Sequence, residues 1–592
     1  MKVAAQRSKL LWLLLASIIL AVSCRQEEPT PVPAAMEEAA AETPTGVPPA
    51  ATPVDPVTYP TQVTSYNLGE TTILQDHFPE DSPFRYMPVR LDGVIGVPQG
   101  AGPFPVVLIL HGSHVICPGE DAWPCSAEEE QPNYAGFAYL VEALAEAGFA
   151  ALSINVNAEH TFAYGEGPPA IRTKQLIDAH LAELAAANAG ESDAFGLELS
   201  GRVDLANMVW IGHSRGADFV NQIIRESDLH QTASDIGYGS VQGMILLAPP
   251  VISTEVLPAV DVPTALILPV CDWDVSLLAG QSLYESARFD PDRQTPFTSV
   301  YLEHGNHNNF NTMLVPDPII EDRPDCAEEQ MLVPEEQQRF LTQYVIDFLR
   351  TLYATPVDAT PARQRLGLAP AVPTPAEGYG HPVQITTLHP VANRVTVMQP
   401  LGEDALSNNL LGGEVTFNGS SAVFCPGGYY VPASEPGTEP CKRVNFNQPG
   451  YPQQLVLGWD SGDAAWRTTL PNSAADLSGY AALQLRAALD PLSELNTEGE
   501  PLPFSIELVD GSGRRAEVSG PDLPYPPGVR QPNDYFEGDL FTGHVILRAV
   551  QFPLEQFGDI DLANIAEIAL LFDQSSSGAI FIADLVLVKS DS

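Results

Sequence analysis

The sequence predicts an α/β chain: a doubly wound, mostly parallel sheet, followed by an all-β sandwich. Three observations predict it. Between residues 106 and 353, short continuous apolar runs alternate with segments of helical periodicity. Beyond about residue 380 the helical patterns become scarce, and strand-like runs separated by Gly, Pro, Asn and Asp clusters take over. At 592 residues the chain is also too long for one ordinary domain.

The elements follow in order. VVLIL (106–110) is a buried strand. FAYLVEALAEAGF (137–149) carries apolar residues at helical spacing and stops at a glycine. AALSINV (150–156) is a strand, and AIRTKQLIDAHLAELAAAN (170–188) a helix. MVWIG (208–212) is a strand that leads into the helix ADFVNQIIRES (217–227). VQGMILLA (241–248), TALILPV (264–270) and FTSVYLE (297–303) are strands, closed by the helix PEEQQRFLTQYVIDFLRTLY (334–353). Alternating β and α with unbroken apolar strands implies a parallel sheet covered on both faces. The later strands are ALQLRAAL (482–489), FSIELVDG (504–511), VILRAVQFPL (545–554), IAEIALLFD (565–573) and AIFIADLVLV (579–588). Their spacing and turn residues predict the sandwich.

Outside these blocks the composition changes. Residues 24–58 are rich in Pro, Ala, Glu and Thr, which cannot bury a core and so predict an extended, disordered stalk. A second Pro/Ala-rich stretch predicts a linker over 356–379. The expected domains are therefore a signal segment (1–23), the stalk, an α/β domain (59–355), the linker, and a β domain (380–592).

Charge excludes one function class. The formal net charge is −47. Such a surface repels phosphate backbones, so no nucleic-acid partner is expected.

The N-terminus predicts export. Lys2, Arg7 and Lys9 precede LLWLLLASIILAV, an apolar run too short for a standard membrane span, and small residues then lead to Cys24. AVSC resembles a bacterial lipoprotein cleavage site, which implies lipidation of Cys24 and a membrane partner through that lipid. Ala21 departs from the usual Leu of that motif, and Ala21-x-Ser23 also suits ordinary signal peptidase, which would make the protein freely secreted. Removing Cys24 from the seven cysteines leaves six in a compartment where disulfides persist. Sequence proximity pairs Cys117 with Cys125 and Cys425 with Cys441, leaving Cys271 with Cys326, although six cysteines allow fifteen connectivities. No C-x-x-C or H-x-x-x-H spacing points to a metal, and none is expected.

The chemistry starts at VWIGHSRGAD (209–218), where Ser214 sits in a G-x-S-x-G pattern. Alone the match is weak. Its setting between a strand and a helix is what a nucleophile elbow needs, because the tight turn lifts the hydroxyl above the sheet edge. A hydroxyl is a weak nucleophile at neutral pH and needs a base, and the base needs a carboxylate to fix its tautomer. Candidates appear in the order Ser, Asp, His, each just past a strand end. CDWD follows TALILPV, and HGNH follows FTSVYLE. Asp274 is the preferred acid, with Asp272 as the alternative. His307 is the preferred base; His304, against the strand end, is expected to be structural. The oxyanion hole requires two backbone N–H donors. They are assigned to Arg215, after the nucleophile, and Ser113, in the loop HGSH after VVLIL.

On these residues the resemblance is clear. FPVVLILHGSH, GHSRGAD, CDWDVSLLAGQ and GNHNNFNT resemble the α/β-hydrolase superfamily, in its dienelactone hydrolase, cutinase and polyester-hydrolase-like branch. The resemblance implies a serine esterase that needs no cofactor and acts on a carboxylic ester, small or polymeric. Arg215 stands where many relatives have Met or Gln, and the loop from His111 to Cys125 is longer than in minimal cutinases. The C-terminal region resembles jelly-roll, galactose-binding-like modules. That likeness allows a structural Ca2+ and a polysaccharide partner, with the aromatics of GYYVPASEPG available for stacking on sugar rings. A sugar-ester esterase targeted by the β domain, or a non-catalytic surface binding and adhesion protein, are the alternative expectations.

Overall fold

The computed structural model describes residues 58–119, 123–161, 169–225, 236–251, 258–318, 323–426, 453–532 and 539–590. The expected signal segment, Cys24, nearly all of the stalk, Cys441 and GYYVPASEPG lie outside them. Among the described residues no helix is long and apolar enough to cross a membrane.

Ten strands form the first sheet: β1 (Thr61–Leu74), β2 (Tyr86–Pro98), β3 (Phe104–Leu110), β4 (Ala150–Ile154), β5 (Val203–His213), β6 (Val241–Leu247), β7 (Thr264–Pro269), β8 (Phe297–Leu302), β9 (Glu377–Gly378) and β10 (His381–Leu388). Their order is β1-β2-β4-β3-β5-β6-β7-β8-β10-β9. The centre, from β4 through β3 to β8, pairs parallel. Both flanks are antiparallel. Side-chain alternation feeds two cores. Val106, Leu108 and Leu110 of β3 join one, with helices α2 (Pro169–Asn188) and α3 (Arg215–Arg225). Val107 and Ile109 join the other, with α1 (Ala138–Glu146) and the long helix Pro334–Tyr353. Helix α4 (Gln281–Arg288) follows β7, and the long helix α5 (Pro334–Tyr353) is followed by α6 (Pro356–Arg365).

The remaining strands are β11 (Arg394–Met398), β12 (Val415–Phe417), β13 (Ser421–Cys425), β14 (Gln454–Trp459), β15 (Ala465–Thr469), β16 (Ala482–Leu489), β17 (Ser505–Asp510), β18 (Arg515–Ser519), β19 (Arg530–Pro532), β20 (Asp539–Phe541), β21 (Arg548–Pro553), β22 (Ile565–Leu571) and β23 (Gly578–Val588). A six-stranded sheet runs β13-β14-β23-β16-β21, with β11 also on β23, and a five-stranded sheet runs β12-β15-β22-β17-β18. A core including Trp459, Trp466, Leu485, Ile506, Ile568 and Ile582 fills the space between them. The outer face of the six-stranded sheet is polar where it meets the first sheet. Gln484 donates to the Thr387 carbonyl at 2.9 Å, and Thr386 donates to the Leu547 carbonyl at 3.1 Å.

The expected fold class is corrected by this architecture. Strand outweighs helix, 33% to 23%, and over the three large sheets together antiparallel pairings outnumber parallel ones, so the chain is β-rich rather than doubly wound α/β. Two physical reasons explain the miss. β1 and β2 are long antiparallel strands; β1, the sheet's outer edge, carries few buried residues and so lacks a strong apolar signal. β10 and β9 add two further antiparallel strands beyond β8, drawn from stretches counted with the β domain and the linker. The stretch expected to be a linker contains α6, which carries Pro361 inside it. β10, counted with the β domain, pairs with β8.

Candidate active site

Ser214 lies between β5 and α3 with φ of 54°, the left-handed region that costs a non-glycine residue roughly 1–3 kcal/mol. Its backbone is fixed there: Ser214 N donates to the Leu247 carbonyl at 2.8 Å, and Ala217 N donates to the Ser214 carbonyl at 2.9 Å. The flanking glycines are required by contact. A Cβ on Gly212 would meet the Gly216 carbonyl at 2.4 Å, and one on Gly216 would meet the His111 carbonyl at 2.6 Å. The same crowding brings the loop after β3 to the serine, since a Cβ on Gly112 would lie 2.6 Å from Ser214 Cβ. Ser113 and Arg215, the expected backbone donors, thus flank the residues that meet at the elbow.

His307 follows β8 and is fully buried. Its Nδ1 donates to Asp272 Oδ2 at 2.7 Å. The Asp272 side chain is 1% exposed, and its other oxygen accepts the Val275 N–H at 2.5 Å. Asp274 is different: its side chain is 57% exposed, and Oδ2 stands 3.5 Å from His307 Nε2, on the wrong nitrogen for an orienting acid. The geometry thus departs from the expectation of Asp274 as the partner acid: Asp272, the alternative, is the carboxylate bonded to His307 Nδ1. Asp272 directly follows the disulfide cysteine at the strand end, whereas Asp274 has already turned to solvent.

Several bonds hold the two loops together. Cys271 N donates to the Gly305 carbonyl at 2.9 Å, and the Cys271–Cys326 disulfide spans a separation of 55 residues. Cys117–Cys125 is likewise bonded, while Cys441, expected on Cys425, falls outside the described residues. His304 donates to the Asp325 carbonyl at 2.8 Å, the structural place expected of it. His213, next to the serine, donates Nε2 to the His307 carbonyl at 3.0 Å. The His213 side chain thus ties the residue before Ser214 to the His307 loop. Among the described residues His307 Nε2 has no hydrogen-bond partner, and its contact with Asp274 is ionic in range only.

Electrostatics raise the His307 pKa. Burial pushes its pKa down, but the charge and hydrogen bond of Asp272, then Asp274 and Asp317, push harder, and the net shift is upward from 6.5. Asp317 is raised to about 6, chiefly by burial, and accepts a bond from the Trp273 backbone. The neighbouring histidines go the other way. His111 is held down to about 4 by burial. Its Nε2 accepts the Val156 N–H at 3.0 Å, so Nδ1 carries the proton given to the Gly112 carbonyl at 2.8 Å. His213 is also pushed well down by burial and by His307.

Sequence reasoning missed Gly112, His111 and the asparagines that brace the loops. Asn306 Oδ1 accepts the backbone N–H groups of Asn308 and Asp317, both at 3.0 Å. Asn311 donates to the Asn133 carbonyl at 3.0 Å, packed so closely that a Cβ on Gly136 would overlap its Oδ1 at 1.6 Å. The stretch GNHNNFN held the signal, as a run of amides beside a histidine. A possible metal group of Cys271, Asp325 and Cys326 also comes together, but both sulfurs are consumed by the disulfide and offer no thiolate.

Comparison with known protein families finds no family that matches this chain, and no curated protein is significantly similar to it.

Proposed function

We propose that the protein is an exported serine hydrolase that cleaves carboxylic esters through Ser214, His307 and Asp272. The observation that carries the reading is the buried 2.7 Å bond from His307 Nδ1 to Asp272 beside a serine held at positive φ. Asp272 fixes the tautomer that leaves Nε2 unprotonated. Nε2 takes the Ser214 proton as Oγ attacks the ester carbonyl, and the Ser113 and Arg215 N–H groups receive the developing oxyanion. The proton then passes to the departing alcohol, leaving an acyl-enzyme. Water, deprotonated by the same nitrogen, releases the acid. The absence of a Ser214–His307 bond is the looser geometry common before substrate binds.

Exposed apolar side chains on the loops that carry these residues suit an apolar ester. Val115, Trp273 and Val315, one from each loop that carries the chemistry, are 76%, 54% and 80% exposed. The N-terminal pattern supports attachment of the mature protein to a membrane through a lipid on Cys24. Hydrolysis of a series of p-nitrophenyl esters by the full chain, against Ser214→Ala, tests the enzymatic reading: turnover equal in both proteins would refute it. Release of Cys24→Ala from the membrane fraction tests the anchor, and unchanged partitioning would refute it.

A further inference from the structure

Away from Ser214, the seam between the first sheet and the six-stranded sheet encloses a charged cavity of about 30 Å3, lined by Arg288, His389, Arg394, Gln484, Arg486 and Asp584 among others. Two of its cations are matched. Arg288 and Arg486 pair with Glu285 and Asp584 in a buried square: Arg288 Nε to Glu285 at 2.8 Å, Arg486 Nη2 to Glu285 at 2.5 Å, Arg486 Nη1 to Asp584 at 3.2 Å, and Arg288 Nη1 to Asp584. Glu285 and Arg288 come from α4, Arg486 and Asp584 from β16 and β23, so the square joins α4 to the six-stranded sheet.

Arg394 is the third cation, and no carboxylate pairs with it among the described residues. Its Nη1 donates to the His389 carbonyl at 2.8 Å and its Nη2 to the Asp290 carbonyl at 3.3 Å. Asp290 is near, but its carboxylate turns to its own loop and accepts the Asp292 N–H at 2.9 Å. Two bonds leave guanidinium donors unused. Arg394 is half-buried; His389 is buried, and its Nε2 has no hydrogen-bond partner among the described residues. Burial holds it neutral, with its pKa down at about 3. The lining thus carries three guanidiniums and one carboxylate, Asp584, with Glu285 behind it as the second partner of Arg288 and Arg486 and a neutral imidazole beside them. Desolvated charge is costly unless matched. One water needs roughly 10–15 Å3 of such space, so the room suits a small ion rather than a sugar-sized one.

We propose that this cavity binds a small monovalent anion, a halide or a carboxylate of formate size, seated against Arg394 between α4 and the six-stranded sheet. The anion balances the odd cation and closes the seam. The proposal does not depend on the catalytic reading.

Thermal unfolding of the full chain tests it, titrated with sodium bromide or sodium formate at ionic strength held constant with sodium gluconate, whose anion is too large for the cavity. The expected result is a rise in Tm that saturates after about 1–3 °C. Arg394→Met should abolish the rise while unfolding within about 1 °C of the parent in gluconate. A rise that never saturates, or one that persists unchanged in Arg394→Met, means an adventitious ion only and overturns the proposal. Should Arg394→Met fail to fold, anomalous scattering from bromide in crystals of the parent protein decides: a peak beside Arg394 supports the site, and peaks confined to other places overturn it.

Discussion

Asp272→Asn should cripple the proposed hydrolysis while leaving the protein folded, for a reason the geometry supplies. One Asp272 oxygen accepts the Val275 N–H at 2.5 Å and the other accepts His307 Nδ1 at 2.7 Å. An asparagine has one oxygen. The backbone N–H of Val275 cannot become an acceptor, so it keeps that oxygen, and the amide NH2 must then face His307. Facing a donor, Nδ1 becomes the acceptor and the proton moves to Nε2. An imidazole protonated at Nε2 cannot take the serine proton. The precedent for this substitution in another triad is a loss of about 10⁴-fold in turnover, or about 5 kcal/mol in the barrier at about 1.4 kcal/mol per tenfold. Asp274→Asn should cost less than about tenfold, because that side chain is largely exposed and no hydrogen bond links it to His307. The assay is kcat/KM for both variants on one soluble p-nitrophenyl ester, with circular dichroism to check the fold. A near-normal Asp272→Asn beside a crippled Asp274→Asn would refute the reasoning.

Other consequences follow from the same geometry. His307 must be neutral to act, and its pKa lies above 6.5, so kcat/KM should fall as pH drops through a point above 6.5; Asp317→Asn should move that point lower, and an unmoved profile would count against the charge argument. By linkage, the raised pKa contributes stability that is complete below 6.5 and lost as pH rises through the folded value. Ser214→Gly should abolish activity yet raise stability by about 1 kcal/mol, measured by urea unfolding, because glycine relieves the positive φ. Gly112→Ala should cut turnover at least tenfold through the 2.6 Å clash with Ser214, with the serine still present to react slowly with a phosphonate. Replacing both Cys271 and Cys326 by serine should cost about 4 kcal/mol by the chain-entropy model for a 55-residue loop, and activity should fall with it as the acid loop loosens from the histidine loop.

The sequence carried some of this plainly and hid the rest for physical reasons. Strands such as VVLIL and MVWIG are covered on both faces, and nothing but apolar side chains is tolerated there, so they stand out. β1 is TQVTSYNLGETTIL, mostly exposed, and its pairing with β2 is set by backbone bonds that composition does not record. Helix α6 contains Pro361 and so has the composition of a linker; its Pro lies at the sixth residue, and Thr355 caps its start by accepting the Asp358 N–H. At the site, Ser214 and the loops with His307 and the two aspartates were legible because chain order and strand ends confine them. The choice between Asp272 and Asp274 was not. Both belong to one tetrapeptide, and only burial, imposed by the disulfide and the neighbouring loop, separates them. Gly112 and Gly136 were invisible for a related reason: each is needed because a distant residue crosses its Cα, and local sequence does not announce what crosses it.

The central claim is that Ser214 is an activated nucleophile. The direct measurement is intact-protein mass spectrometry after incubation with a fluorophosphonate, followed by peptide mapping. The account predicts a single adduct on the peptide containing Ser214, absent in Ser214→Ala and slowed severely in His307→Ala. An unmodified parent protein, or an adduct that maps elsewhere and survives Ser214→Ala, would contradict it.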